Sequence, residues 1–167
     1  MFLLKGFGLY FGDNAEKIVN DDNHLMMAGI EEIKNFVNNP IYDFIYIEDI
    51  LQKLNSIEEV LELSYSGVKE NGFVLVKVPD FNLYEKYLWP SIYMLDHKLS
   101  FSNEIKRNDQ NRNTHYHLDD IKSISEKIGY RHFESSLDDT NFDYERPLLE
   151  NQTKNGASCH IYYKFTK

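Results

Sequence analysis

Asp96, His97 and Lys98 stand together in the stretch WPSIYMLDHKLSFS, between a Trp89-Pro90 turn and the aromatic and hydroxyl residues that follow. An imidazole titrates near neutrality, and a carboxylate beside it can orient it or raise its affinity for a proton. His97 with Asp96 is therefore the best general-base candidate; the competing reading is a loop fixed by hydrogen bonds to backbone. Glu48 and Asp49 follow the apolar run Phe44, Ile45, Tyr46 and Ile47, where they can line a pocket or serve the positive amino end of a helix. Gly6 and Gly8 in LLKGFGLYFG can let backbone approach a ligand, or mark an ordinary turn or bulge. His115 and His117 alternate, so an extended segment turns both to one side, and Asp119 or Asp120 would add oxygen ligands. No third ligand is fixed by spacing, so a polar surface loop is favoured and no metal is expected. His24, His132 and His160 show no constellation.

The elements that must position these groups can be read from periodicity. Residues 2–11 favour strand by their Phe, Leu and Tyr content, as one strand or two. Ile30, Ile33, Phe36 and Val37 share a helical face, stopped by Asn38, Asn39 and Pro40. Tyr42 to Leu51 carries a continuous apolar core, as expected of a parallel strand covered on both faces. Ser56 and Glu59 fit a capping box, with Ile57, Val60, Leu61 and Val68 at helical spacing until Asn71-Gly72. FVLVKV is a second buried strand broken by Pro79, completing a strand, helix, strand unit. Leu118, Ile121, Ile124 and Ile128 make an amphipathic helix ending at Gly129, and YRHFESS and ASCHIYYKFT read as two antiparallel strands. KRNDQNRNTHYH reads as the most flexible loop.

Bulk properties narrow the classes. A chain of 167 residues and 19.8 kDa fits one domain, residues 1–167, large enough to bury a core without staples. Eighteen Lys and Arg against 27 Asp and Glu give a formal charge of -9, which repels phosphate backbones and anionic lipid. Nucleic acid and membrane are thus not expected as partners, and no apolar run approaches the length of a membrane span. Cys159 is alone, which excludes an intrachain disulfide and suits a reducing cytoplasm.

In YDFIYIEDILQKL an acid and an apolar run precede Leu51-Gln52-Lys53; VKENGFVLVKVP is a turn and a strand ending in Val-Pro; beyond lie Tyr84-Glu85, Pro90-Ser91, Asp96-His97-Lys98 and Phe101. This series resembles the second half of a class I S-adenosylmethionine-dependent methyltransferase. The resemblance implies an α/β fold, an abbreviated Rossmann-like doubly wound sheet, mostly parallel with an antiparallel C-terminal strand. It implies S-adenosyl-L-methionine as cofactor, held by Gly6, Gly8, Asp13, Asp21, Asp22, Glu48 and Asp49. A small-molecule acceptor would meet Asp80, Tyr84, Glu85, Trp89 and Lys98, with His97 and Asp96 as base.

The sequence departs from the family pattern in two places. Only 41 residues precede Tyr42, with Leu4 or Lys5 where the family has an acid, and Leu51-Gln52-Lys53 replaces Leu-Glu-His. These departures keep open a second reading, a non-catalytic methyltransferase-like binding or regulatory subunit. Missing flanking strands would expose a sheet edge, so a homodimer or a partner protein is expected to cover it.

Overall fold

Apolar residues on both sides of the central strands give them two faces to bury, and the chain folds to satisfy both. The computed structural model describes residues 3–12, 23–27, 29–85, 95–104, 114–146 and 152–167. Asp13, Asp21, Asp22 and Trp89, together with the side chains of Tyr84 and Glu85, lie outside the described residues. The strands are β1 (Gly6–Phe11), β2 (Asn23–Met27), β3 (Tyr42–Glu48), β4 (Val68–Pro79), β5 (Ser100–Phe101), β6 (His115–Tyr116), β7 (His132–Asp138) and β8 (His160–Thr166). The α-helices are α1 (Ile33–Phe36), α2 (Glu58–Gly67) and α3 (Leu118–Ile128).

Six strands form one sheet in the order β2-β1-β3-β4-β8-β7. β1 pairs parallel with β2 and β3, and β3 parallel with β4. β8 lies antiparallel to both β4 and β7, so it alone among the six runs the other way. The mostly parallel doubly wound sheet with an antiparallel C-terminal strand, expected from the sequence, is what the chain adopts. Ser100–Phe101 and His115–Tyr116 make a separate short parallel pair beside the end of β4, joined to it by the Asp80–Phe101 bridge.

Leu9, Phe11, Ile45, Ile47, Val74, Val76, Val78, Ile161, Tyr163 and Phe165 are buried on one face with Val60 and Leu61 of α2 and Ile121 of α3. The other face buries Tyr10, Phe44, Tyr46 and Leu75. Burial on both faces explains why β3 reads as an unbroken apolar run. At the far end of α3, Gly129 adopts φ 111°, a left-handed cap that a side chain would strain. The next residue, Tyr130, donates its hydroxyl to the Leu61 carbonyl at 2.9 Å, tying that turn to α2.

Local details differ from the sequence reading at three points. The Ser56–Glu59 capping box is not formed: α2 begins at Glu58 without a side-chain cap, and Ser56 instead donates to Glu58 at 2.7 Å. The helix stops at Gly67 rather than at Asn71-Gly72, because Val68 already pairs with Tyr42 and an irregularity follows before Phe73 pairs with Phe44. Asn71, at φ 64°, supplies the turn within that irregularity. Helix α1 is a single turn preceded by a 3-10 turn at Ile30–Glu32.

β1 is one strand, and Gly6 and Gly8 are inside it rather than in a turn. A Cβ on Gly8 would fall on the ring of Phe44, a fully buried residue stacked on Phe73 at 5.9 Å. Gly8 is thus a packing requirement of the β1–β3 pair. Gly8→Ala is expected to lose about 1–3 kcal/mol of stability by overpacking; urea denaturation measures it, and an unchanged midpoint would contradict the contact.

Candidate functional site at the carboxyl edge of the sheet

Parallel strands deliver all their carboxyl ends to one edge, and open α/β sheets bind ligands there. In this chain that edge carries the ends of β1, β2, β3 and β4, the end of β7 and the start of β8. The site is built from what the sequence placed at those tips.

At the tip of β3, Glu48 lies in register with Lys77 of β4. The Lys77 ammonium donates to Glu48 Oε1 and to Asp49 Oδ2, both at 3.1 Å. Tyr10 of β1 donates its hydroxyl to the second Glu48 oxygen at 2.5 Å. The Lys77 and Glu48 side chains are only 15% and 11% exposed, so the bridge is largely desolvated. Burial alone would weaken the Lys77 ammonium, but the carboxylates of Asp49 and Glu48 outweigh it and lift its pKa above the ordinary value. Asp49 adopts φ 54°, a left-handed conformation that a non-glycine residue holds at a cost, and its amide donates to the Lys77 carbonyl at 3.0 Å. Its Oδ1 is buried without a hydrogen-bond partner. His160, at the start of β8, places Nε2 3.6 Å from that oxygen. Burial pulls the His160 pKa below the usual imidazole value, with Asp49 opposing.

Asp96, His97 and Lys98 dock on the turn that leaves this tip. The amides of Lys98 and Leu99 both donate to the Gln52 carbonyl, at 2.7 and 2.9 Å. Asp96 pairs with Lys53 at 3.1 Å, and Lys98 donates to Asn55 at 3.1 Å. Lys53, in Leu51-Gln52-Lys53, therefore holds the Asp96 carboxyl and keeps its pKa below the usual range. His97 is buried within this docked segment. Asp80, directly after β4, is also buried and accepts from the amides of Asn82 (2.6 Å), Leu83 (3.1 Å) and Asn103 (3.4 Å). It caps the π-helical turn Phe81–Glu85.

The structure thus brings Glu48 and Asp49 together and docks Asp96, His97 and Lys98 beside their exit turn, with Asp80 at the neighbouring strand end. It sets Gly6 and Gly8 apart from this group: Gly6 pairs with Asn23 at the opening of β1 and β2, whereas the tip of β1 is Phe11-Gly12. Tyr10, Lys77 and His160 were not singled out from the sequence. The one available signal was Lys77, a charge set inside the apolar run FVLVKV. His115 and His117 do face the same way, with ring centroids 4.6 Å apart, and their Nδ1 atoms meet the hydroxyls of Ser100 (2.7 Å) and Ser102 (3.1 Å). Among the described residues no group of three or more His, Cys, Asp or Glu side chains could hold a metal. No helix among them is long and apolar enough to cross a membrane.

No protein-family profile matches the sequence, and no curated protein matches it. Solved structures do. A S-adenosylmethionine-dependent methyltransferase from Archaeoglobus fulgidus aligns over 98% of this chain and 86% of its own, with TM-score 0.57 and 12% identity. Phosphoethanolamine N-methyltransferase 2 of Haemonchus contortus, in complex with S-adenosyl-L-methionine, aligns over 100% of this chain and 50% of its own, with TM-score 0.62 and 10% identity. A chain of the complex between the Trm112 methyltransferase activator and the putative methyltransferase of Haloferax volcanii aligns over 97% and 71%, with TM-score 0.53 and 15% identity. The fold is that of the class I S-adenosylmethionine-dependent methyltransferases.

Within this methyltransferase fold the described tip residues suit the positive charge of a sulfonium or ammonium ligand. Glu48 and Asp49 stand against one lysine, and Asp49 Oδ1 is an acceptor still lacking a donor. β2 ends in Met27, 60% exposed, so among the described side chains no acid stands at that tip, and Glu32 is engaged with the Gly29 amide at 3.2 Å.

Burial raises the Asp80 pKa from 3.8 to about 6 in spite of its three amide donors. The folded chain therefore binds this proton more tightly than the unfolded chain. That contribution is complete below the unfolded value and is lost as pH rises through about 6. Asp80→Asn should gain on the wild type by up to about 2–3 kcal/mol between about pH 4 and about pH 7.5. Urea denaturation at both pH values measures the difference, and an equal offset at each would contradict the buried, protonatable state.

Proposed function

We propose that this chain binds S-adenosyl-L-methionine at the tips of β1 and β3 and acts as a methyltransferase on a small molecule. The observation that carries the reading is the acidic tip of β3: two carboxylates on a methyltransferase fold, one of them with a strained backbone and an unpartnered oxygen. Strain of this kind persists where surrounding structure enforces it, and it clusters at binding sites. Glu48 and Asp49 take the charged end of the cofactor, which supplies a methyl group on a cationic sulfur. Asp80 and the segment from Asp96 to Phe101, the latter anchored through Gln52 and Lys53, wall the acceptor, with Lys98 within it. His97 and Asp96 keep their place as candidate base and partner.

A second reading, a methyltransferase-like subunit that binds or regulates without catalysis, is favoured by Tyr10. A Cβ on Gly12 would meet the Tyr10 hydroxyl, so the tip of β1 is filled from within by the Tyr10–Glu48 bond. Exposure of Met26 and Met27 on the edge strand β2 supports a homodimer that covers that edge. A monomeric mass by light scattering would remove the homodimer.

Calorimetric titration with S-adenosylmethionine and S-adenosylhomocysteine separates the readings. Micromolar binding is expected, weakened about tenfold in Glu48→Gln, equivalent to about 1.4 kcal/mol. No heat at millimolar ligand would leave the non-catalytic reading.

A further inference from the structure

His160 is tied into a chain of hydrogen bonds that favours one of its two neutral tautomers. The Asp138 carboxyl, at the end of β7, accepts from the Thr140 amide at 3.2 Å and from the Thr140 hydroxyl at 2.7 Å through Oδ1. Its Oδ2 accepts from the Ser158 hydroxyl at 2.8 Å. These bonds outweigh burial and hold its pKa below the usual carboxylate range, so it is ionised and can only accept. The single Ser158 proton is therefore committed to Asp138. Ser158 Oγ also lies 3.2 Å from His160 Nδ1, and with its own proton spent it can only accept there. Nδ1 must carry the hydrogen. A neutral imidazole has one N–H, so Nε2 is left with a bare lone pair.

That lone pair faces Asp49 Oδ1 at 3.6 Å, the buried oxygen with no hydrogen-bond donor of its own. Two acceptors confront each other, and a proton placed on Nε2 satisfies both at once. Among the described residues, the charged groups that act on the ring are Asp49 and Glu48 from the end of β3, Lys77 from β4 and Asp138 from β7. Three carboxylates against one ammonium favour the imidazolium once a proton arrives, whereas burial keeps the resting ring neutral. His160 is the first residue of β8 and pairs with Pro79 and Asp138, so it sits on the ligand edge of the sheet, with its side chain 20% exposed.

We propose that His160 is a second proton-accepting group of this edge, separate from the candidate base His97, with Asp138 and Ser158 fixing its tautomer and Asp49 stabilising the imidazolium that results. Its use rests on the methyl-transfer reading: the acceptor is a small molecule whose reacting atom is an N–H or O–H heteroatom. When that heteroatom is alkylated its N–H or O–H bond breaks, the bonding pair stays on the heteroatom, and the proton forms a bond to Nε2. His160 returns the proton to water in the next cycle. Asp138 and Ser158 are positioning residues in this scheme.

The test is nitrogen-15 NMR of the imidazoles across a pH titration of the full, unliganded chain. At about pH 8 His160 should be neutral with Nδ1 protonated and Nε2 bare. It should titrate below the ordinary imidazole value. Ser158→Ala removes the acceptor at Nδ1, so the hydrogen should move to Nε2 and donate to Asp49. Asp138→Asn frees the Ser158 proton for Nδ1 and should cause the same exchange, which keeps the test open if Ser158→Ala does not fold. Asp49→Asn should lower the His160 pKa further. An Nε2–H tautomer in the wild type, or a tautomer indifferent to these substitutions, would overturn the proposal. Because no cofactor is present, failure to bind S-adenosylmethionine strikes only the methyl-transfer reading and an unexpected tautomer strikes only this one.

Discussion

A single ammonium holds the carboxyl edge of the sheet together. Lys77 emerges from β4 between two carboxylates of β3, and the Tyr10 hydroxyl from β1 closes on the same Glu48. Three neighbouring strands are thereby pinned at their tips by contacts that water reaches poorly. Removing Lys77 would leave two anions in each other's field, and removing either acid would leave the largely buried ammonium one carboxylate instead of two; a desolvated cluster of this kind tolerates whole replacement better than single deletion. The strained backbone of Asp49 belongs to the same arrangement, since the turn that carries it outward is bound to the Lys77 carbonyl.

Around that cluster the rest of the edge is assembled by backbone contacts to a short turn. The Gln52 carbonyl accepts two amides from the segment that follows Asp96-His97, and Lys53 reaches Asp96. Lys53, which closes Leu51-Gln52-Lys53, is thus an anchor for the docked segment.

How much of this could be read in the residues depended on range. β3, α3, β7 and β8 were legible because a continuous apolar run, strand composition and helical spacing are local signals, and because Gly129 ends α3 as a left-handed cap. The start of β4 was not, since Val68 looks helical by spacing and becomes a strand only through its pairing with Tyr42. At the site, Glu48 and Asp49 could be found from their position after an apolar run. His160 could not: its partners Asp49, Asp138 and Ser158 come from three separate stretches of chain, and only the sheet order brings them together. Gly6 and Gly8 drew attention as a possible turn, whereas Gly8 answers to the bulk of Phe44 across the strand pair.

β8 follows both β4 and β7 in sequence yet lies between them in the sheet. Both of those neighbours are complete in the chain well before residues 160–166 are. On a ribosome, β4 must wait with an unpaired edge, and β7 with no partner among the described strands, until β8 emerges. Closure of the sheet is then a late, long-range event, and topologies dominated by such pairings fold slowly. During synthesis the open flank of β4 is the place where a chaperone, or a neighbouring nascent chain, would find this protein most receptive.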